Sequence, residues 1–172
     1  IWDQMTIKPY LQQENRIIRP ANYKKFNDGE GCHLYMSRNG KRVLVVNLLG
    51  NLFIDREELY SPFTTADEIL KSYKLGLNVD AIFIDMHAEA TSEKMSLANY
   101  LDGRVSAVIG THTHIPTADA HILPNGTAFQ SDAGMCGDYD SSIGMKKELS
   151  IERFLNPDAK NHLAPAEGEA TI

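Results

Sequence analysis

Cysteine is scarce in this 172-residue chain. Cys32 and Cys136 are the only two, and they form no Cys-x-x-Cys pair. Neither a disulfide framework nor a thiolate zinc site is suggested by them, and two ordinary thiols in a reducing cytoplasm are expected. No apolar run approaches the roughly 20 residues that span a bilayer, and no signal-peptide pattern is visible. Basic charge is in deficit. Lys and Arg number 17 against 23 Asp and Glu, a formal net charge of −6. Bulk attraction to nucleic acid or to an anionic membrane is excluded as a binding mode. A small phosphate-bearing substrate is not, because a bound metal reverses the local sign. Internal repeats and low-complexity segments are also missing.

With 42% hydrophobic and 23% charged residues, the chain reads as one globular domain over residues 1–172. It begins Ile1-Trp2-Asp3 and ends Glu169-Ala170-Thr171-Ile172, which is read as a piece of a longer protein.

Hydrophobic periodicity and turn chemistry place the elements. Residues 1–14 are expected to start as a helix, and Pro20 with Asn22 to Gly31 as loop. Cys32–Met36 and Arg42–Leu49 form a hairpin about Asn39-Gly40, a pair that suits the positive φ angles of a two-residue turn. Thr65-Ala66-Asp67-Glu68 has capping-box spacing and predicts a helix from Ala66 to about Leu75, ended by Gly76. Ala81–Asp85 is a buried-strand run leading into His87. A helix capped by Thr91 or Ser92 is expected through Leu101, with Met95, Ala98 and Leu101 on one side. Arg104–Gly110 is the next strand, leading into His112. Pro124-Asn125-Gly126 marks a hairpin pairing 120–123 with 127–130. Residues 133–144 read as a shaped loop, and Lys147–Leu155 as a helix. Strands alternating with helices predict an α/β fold with mixed sheets.

Two of these strands end in histidine. His87 closes one, and Gly110-Thr111-His112-Thr113-His114 follows the other. Open α/β sheets place their sites beyond strand C-termini. In extended geometry His112 and His114 project to one side, and Gly110 lets the backbone bend. Imidazole is the commonest neutral metal ligand, so His87, His112 and His114 are the candidate metal ligands. His33, His121 and His162 lack such a setting and are read as surface or structural. After His87 comes Ala88-Glu89-Ala90-Thr91-Ser92-Glu93-Lys94, small residues, hydroxyls and carboxylates before a helix, which suits ordinary capping and also an anion at the helix N-terminus. Glu89 and Thr91 are candidates there. Asp85, two residues before His87, is a candidate to orient that imidazole through a hydrogen bond. Arg104 is a candidate for a substrate phosphate, against the plainer expectation of a surface pair with Asp102. Asp138 and Tyr139 are weighed as the rim of a base pocket against a plain loop role.

Several segments together resemble the YmdB-type family of bacterial calcineurin-like metallophosphoesterases. They are Arg19-Pro20-Ala21-Asn22, the run from Phe83 to Lys94 containing His-Ala-Glu-Ala-Thr-Ser-Glu-Lys, the run from Asp102 to His114, Asp132-Ala133-Gly134-Met135, and Gly144-Met145. The resemblance implies a sandwich of two mixed β-sheets flanked by helices. It also implies a two-metal phosphodiesterase acting on 2′,3′-cyclic nucleotides, with iron or manganese, or zinc, as the ions. Carried over, His87 and His112 would ligate one ion and His114 the other. The family's N-terminal portion, with its carboxylate, Asn and general-acid His, would precede Ile1. Without it the chain is expected to bind metal weakly, to be inactive alone, to leave one side of its sheet uncovered, and to associate with that missing fragment or as a homo-oligomer. Two competing readings remain open on the residues: a single-zinc three-His hydrolase, and a non-catalytic nucleotide- or phosphate-binding regulatory protein.

Overall fold

A computed structural model describes residues 6–24, 28–54, 59–158 and 162–171. The order of elements is α1 (Lys8–Gln13), β1 (Cys32–Met36), β2 (Arg42–Leu49), α2 (Pro62–Ser72), β3 (Ala81–His87), α3 (Thr91–Tyr100), β4 (Ala107–Thr111), β5 (His121–Ile122), β6 (Ala128–Gln130) and α4 (Lys147–Leu155). The strands form one mixed sheet in the order β1-β2-β3-β4-β6-β5. The inner strands β2, β3, β4 and β6 run parallel, while β1 and β5 are antiparallel edges. The expected α/β architecture with a mixed sheet and flanking helices is therefore present, and the described residues hold a single sheet of it.

Alternation along the strands assigns the two faces. Leu44, Val46 and Leu48 of β2, Ile82, Ile84 and Met86 of β3, Val108 and Phe129 are all buried, in one cluster with Ala66 and Leu70 of α2 and Leu97 and Ala98 of α3. Burying each large aliphatic side chain contributes about 1.5–3 kcal/mol, so this face supplies most of the drive for folding. The opposite face is half open. It carries Val45, Phe83 and Ile109, with Phe83 37% exposed, and, toward the C-terminal ends of the parallel strands, Asn47, Asp85, His87 and Thr111.

Four expectations are corrected. The β1–β2 turn is not of the two-residue type. The Gly40 N–H donates to the Ser37 carbonyl and the Ser37 N–H to the Lys41 carbonyl, and of the Asn-Gly pair only Gly40 has positive φ, at 75°. The result is a three-residue loop closed by a left-handed glycine. Helix α2 starts at Pro62 rather than Ala66, because a proline with its fixed φ serves as the first helical residue and Ser61 supplies the extended entry. In α3 the entry residue is Ala90, with no side-chain cap, so Thr91 and Ser92 lie inside the first turn. Its inward stripe is Lys94, Leu97, Ala98 and Leu101, at i, i+3, i+4 and i+7, which turns Met95 out to solvent. Finally, Gly110 does not have positive φ; what it provides is close approach, since a Cβ there would lie 1.9 Å from the Ser131 carbonyl oxygen.

Candidate metal centre at the strand tips

Parallel register places the tips of β2, β3 and β4 side by side, with His87 opposite Leu49 on one flank and Thr111 on the other. The tips are tied beyond the ladder. The Gly50 N–H donates to the His87 carbonyl at 2.8 Å, and the Ala88 N–H to the Thr111 carbonyl at 3.2 Å. His87 is thus held by hydrogen-bonded strands on both sides. His112, the residue after β4, brings its Nδ1 to 3.3 Å from His87 Nε2, and the two rings meet edge to face at 5.1 Å.

A polar chain lies behind this pair. The Asn47 amide donates to Asp85 Oδ2 at 2.7 Å, and the Thr111 hydroxyl donates to Asp85 Oδ1 at 2.9 Å. Thr111 Oγ1 is 3.1 Å from His87 Nδ1. A hydroxyl has one proton, and that proton goes to Asp85, so the His87 Nδ1–H is the donor to Thr111. This fixes the tautomer and leaves the His87 Nε2 lone pair facing the site. Burial holds the His87 imidazole below its ordinary pKa, with the His112 charge acting in the same direction and Asp85 opposing. The expectation for Asp85 pointed to direct orientation of His87; the structure routes it through Thr111.

On the outer side, the Glu89 carboxylate contacts His112 Nε2. Thr91 is exposed at the N-terminus of α3. His114 is placed differently. Its Nδ1–H donates to the Ile143 carbonyl at 2.8 Å, which makes Nε2 the lone-pair nitrogen of the neutral ring. His112 and His114 do not share an extended backbone, for their φ angles are 153° and 68°. The strands bring His87 and His112 together with Glu89 beside them, and His114 stands against the 133–144 loop. Among the described residues no group of three or more His, Cys, Asp and Glu side chains is arranged to hold a metal ion. The donor chemistry nevertheless fits metal ligation. Metal-bound imidazoles almost always donate their second N–H to a fixed acceptor, and His87 and His114 both do so here.

Arg104 lies at the other end of the sheet, before β4 begins. Its guanidinium pairs with Asp67 Oδ1 at 2.7 Å and lies 5.5 Å over the Tyr100 ring. The expected pair with Asp102 is not formed; Asp102 instead accepts the Asn125 and Thr127 N–H groups of the β5–β6 hairpin. Asp138 accepts the Asp140 and Gly168 N–H groups, and the Tyr139 hydroxyl donates to the Met135 carbonyl, so both serve the loop. His33 sits beside Glu30 and Tyr35, and His121 and His162 are exposed.

Sequence reasoning missed Asn47 and Thr111 as members of the polar chain. Asn47 was visible as the one polar residue in Val43-Leu44-Val45-Val46-Asn47-Leu48-Leu49. It also missed the buried pair of Lys94 and Asp132, each side chain 1% exposed, and buried Glu93, which accepts the Asn51 and Leu52 N–H groups.

Residues 1–172 match the YmdB-like protein family throughout. The chain is 43% identical over 171 residues to a Bacillus subtilis protein named 2′,3′-cyclic-nucleotide 2′-phosphodiesterase, covering 99% of this chain and 62% of that protein. Among solved structures it is similar to a hypothetical protein from Thermus thermophilus, with a TM-score of 0.85 and 42% identity over 98% of this chain and 64% of that one. It is also similar to a novel phosphatase from Mycoplasma pneumoniae, with a TM-score of 0.83 and 30% identity over 98% of this chain and 60% of that one. The chain thus spans less than two thirds of the length of each of these relatives. With the match running through both histidine-bearing strand tips, the chain belongs to the YmdB-like protein family.

Proposed function

We propose that this chain supplies the histidine side of a metal-dependent phosphodiesterase site, and that the protein carrying it hydrolyses small cyclic-nucleotide phosphodiesters. The observation that carries the reading is the imidazole pair at adjacent strand tips, with His87 Nε2 facing His112 at 3.3 Å and its outer N–H held by Thr111. The activity named for the Bacillus subtilis relative supports the substrate class.

In this reading His87, His112 and His114 hold two metal ions, and imidazole suits iron, manganese and zinc alike. When bound, such ions act as Lewis acids and lower the pKa of a coordinated water toward neutrality. The chain's own residues prepare the site. Burial disfavours the charged form of His87, and the Asn47–Asp85–Thr111 chain fixes which ring nitrogen faces inward. Glu89 orients His112. The N-terminus of α3, at Thr91, has no side-chain cap and offers its positive end to a phosphate. Further ligands come from polypeptide outside these 172 residues, in keeping with the greater length of the relatives. Self-association belongs to the same reading, supported by the half-open sheet face and by exposed Ile151, Phe154 and Leu155 on α4. So does a reducing compartment, which suits the free thiols of Cys32 and Cys136.

The test is turnover of a 2′,3′-cyclic nucleotide by the full-length manganese-loaded protein. His112→Ala is expected to abolish turnover and release metal; a variant that keeps both sinks the reading.

A further inference from the structure

Lys94 and Asp132 form an ion pair at 3.2 Å with both side chains 1% exposed. A pair of this kind is a weak source of stability, because removing two charges from water costs about as much as their attraction returns. Its surroundings indicate another role. Asp132 Oδ2, the atom that meets the ammonium, also accepts the Thr113 N–H at 2.8 Å. Asp132 Oδ1 accepts the Gly134 N–H at 2.9 Å. Thr113 separates His112 and His114, and both histidines have positive φ, at 153° and 68°. Non-glycine residues in that region persist only where their surroundings over-determine the backbone. The main chain of Asp132 is fixed as well, its N–H donating to Thr117 Oγ1 at 2.9 Å and its carbonyl accepting the Thr117 N–H at 3.0 Å. Lys94 stands in the second turn of α3 and packs against Gly110, where an added Cβ would fall 2.7 Å from Lys94 Cδ.

We propose that Lys94 and Asp132 are positioning residues: the buried pair grips the Thr113 amide and thereby holds His112 and His114 in the strained backbone that presents them as ligands. The ammonium holds the carboxylate in place, and the carboxylate holds the loop. This rests on the metal-site reading above. It assigns the pair to ligand geometry rather than to global stability, which separates it from an ordinary buried ion pair.

The test uses the full-length protein and two readouts, Mn²⁺ affinity by titration calorimetry and hydrogen exchange at the Thr113 amide without metal. The double variant Lys94→Met/Asp132→Leu removes both charges together, so neither is left buried and unpaired. It is expected to fold with a lowered melting temperature, because the Thr113 and Gly134 N–H groups lose their acceptor, while Mn²⁺ binding weakens by about 10–100-fold and Thr113 loses its protection. A folded double variant with parental affinity and a protected Thr113 amide overturns the proposal. If that variant does not fold, Asp132→Asn is read in its place, with weaker binding and faster exchange expected; parental values overturn the proposal. Failure of both to fold would assign the pair to folding and would also overturn it. A parent protein that binds no Mn²⁺ refutes the metal-site reading, and exchange at Thr113 then still decides whether the grip exists.

Discussion

Gly110 approaches Ser131 so closely that a Cβ on the glycine would sit 1.9 Å from the Ser131 carbonyl oxygen and 2.6 Å from its carbonyl carbon. Both neighbours are backbone atoms, and the same strand tip is tied to the following loop by the Ala133 N–H donating to the Gly110 carbonyl at 2.9 Å. No rotamer change relieves such a contact. The chain between β6 and the 133–144 loop has to move away from β4.

Gly110→Ala is therefore expected to be costly, at the upper end of the about 1–3 kcal/mol range for overpacking, or roughly 6–12 °C in melting temperature for a chain of this size. Gly40→Ala is the comparison. Gly40 has positive φ but no neighbour within 4 Å of an added Cβ, so only backbone strain of about 1–2 kcal/mol applies there. Thermal melts of the two variants decide the matter. If Gly110→Ala melts no lower than Gly40→Ala, close approach is not what requires glycine at 110.

The elements that were legible in the sequence are those with strong local signals. Residues 32–36, 42–49 and 147–155 fall where apolar pattern and turn residues put them. The start of α2 was misplaced because two start signals compete, and Pro62 with fixed φ wins over the Thr65–Glu68 spacing. The inward face of α3 was misread for a different reason. A hydrophobicity pattern treats Lys94 as outward, and only a partner 38 residues away, Asp132, makes its burial tolerable. The site divides in the same way. His87 and His112 could be paired from the sequence because both sit at strand ends, and parallel register brings such ends together. The Thr111 link could not, since it depends on which neighbour takes a single hydroxyl proton. Nor could the positive φ angles at His112 and His114, in a stretch tied through Thr113 to Asp132 and through His114 to Ile143, partners 19 and 29 residues away.

Thr111 offers a direct check on the chain behind His87. Thr111→Val keeps the β-branched shape and removes the hydroxyl, so His87 Nδ1 loses its acceptor and Asp85 Oδ1 loses its donor. Outer-shell losses of this kind typically weaken metal binding by about 10–100-fold. The expected result is weaker Mn²⁺ binding by the full-length protein, with Thr111→Ser restoring most of the affinity. Equal affinities for Val and Thr at this position would show that the hydroxyl does not orient His87.

Acid should loosen the β5–β6 hairpin through Asp102. Burial acts to raise the pKa of this carboxyl, but the Asn125 and Thr127 N–H groups outweigh it and hold it below the usual carboxylate range. The hydrogen bonds measure 2.9 Å from the Asn125 N–H, 3.1 Å from the Asn125 amide and 3.2 Å from the Thr127 N–H. A group depressed in the folded state binds protons more readily in the unfolded chain. Its contribution is then fully present above the unfolded carboxylate value of about 3.9 and is lost as pH falls through the lower folded value. Asp67 and Asp80 are held low as well, the first by Tyr100 and Arg104 and the second by Arg42, so the parent is expected to lose stability steeply below about pH 4. Asp102→Asn cannot titrate there. The variant should melt lower than the parent at neutral pH, because an amide cannot accept all three hydrogen bonds, yet its melting temperature should fall less on acidification. Melting curves between neutrality and strong acid measure both slopes, and parallel slopes for parent and variant would remove Asp102 from the acid response.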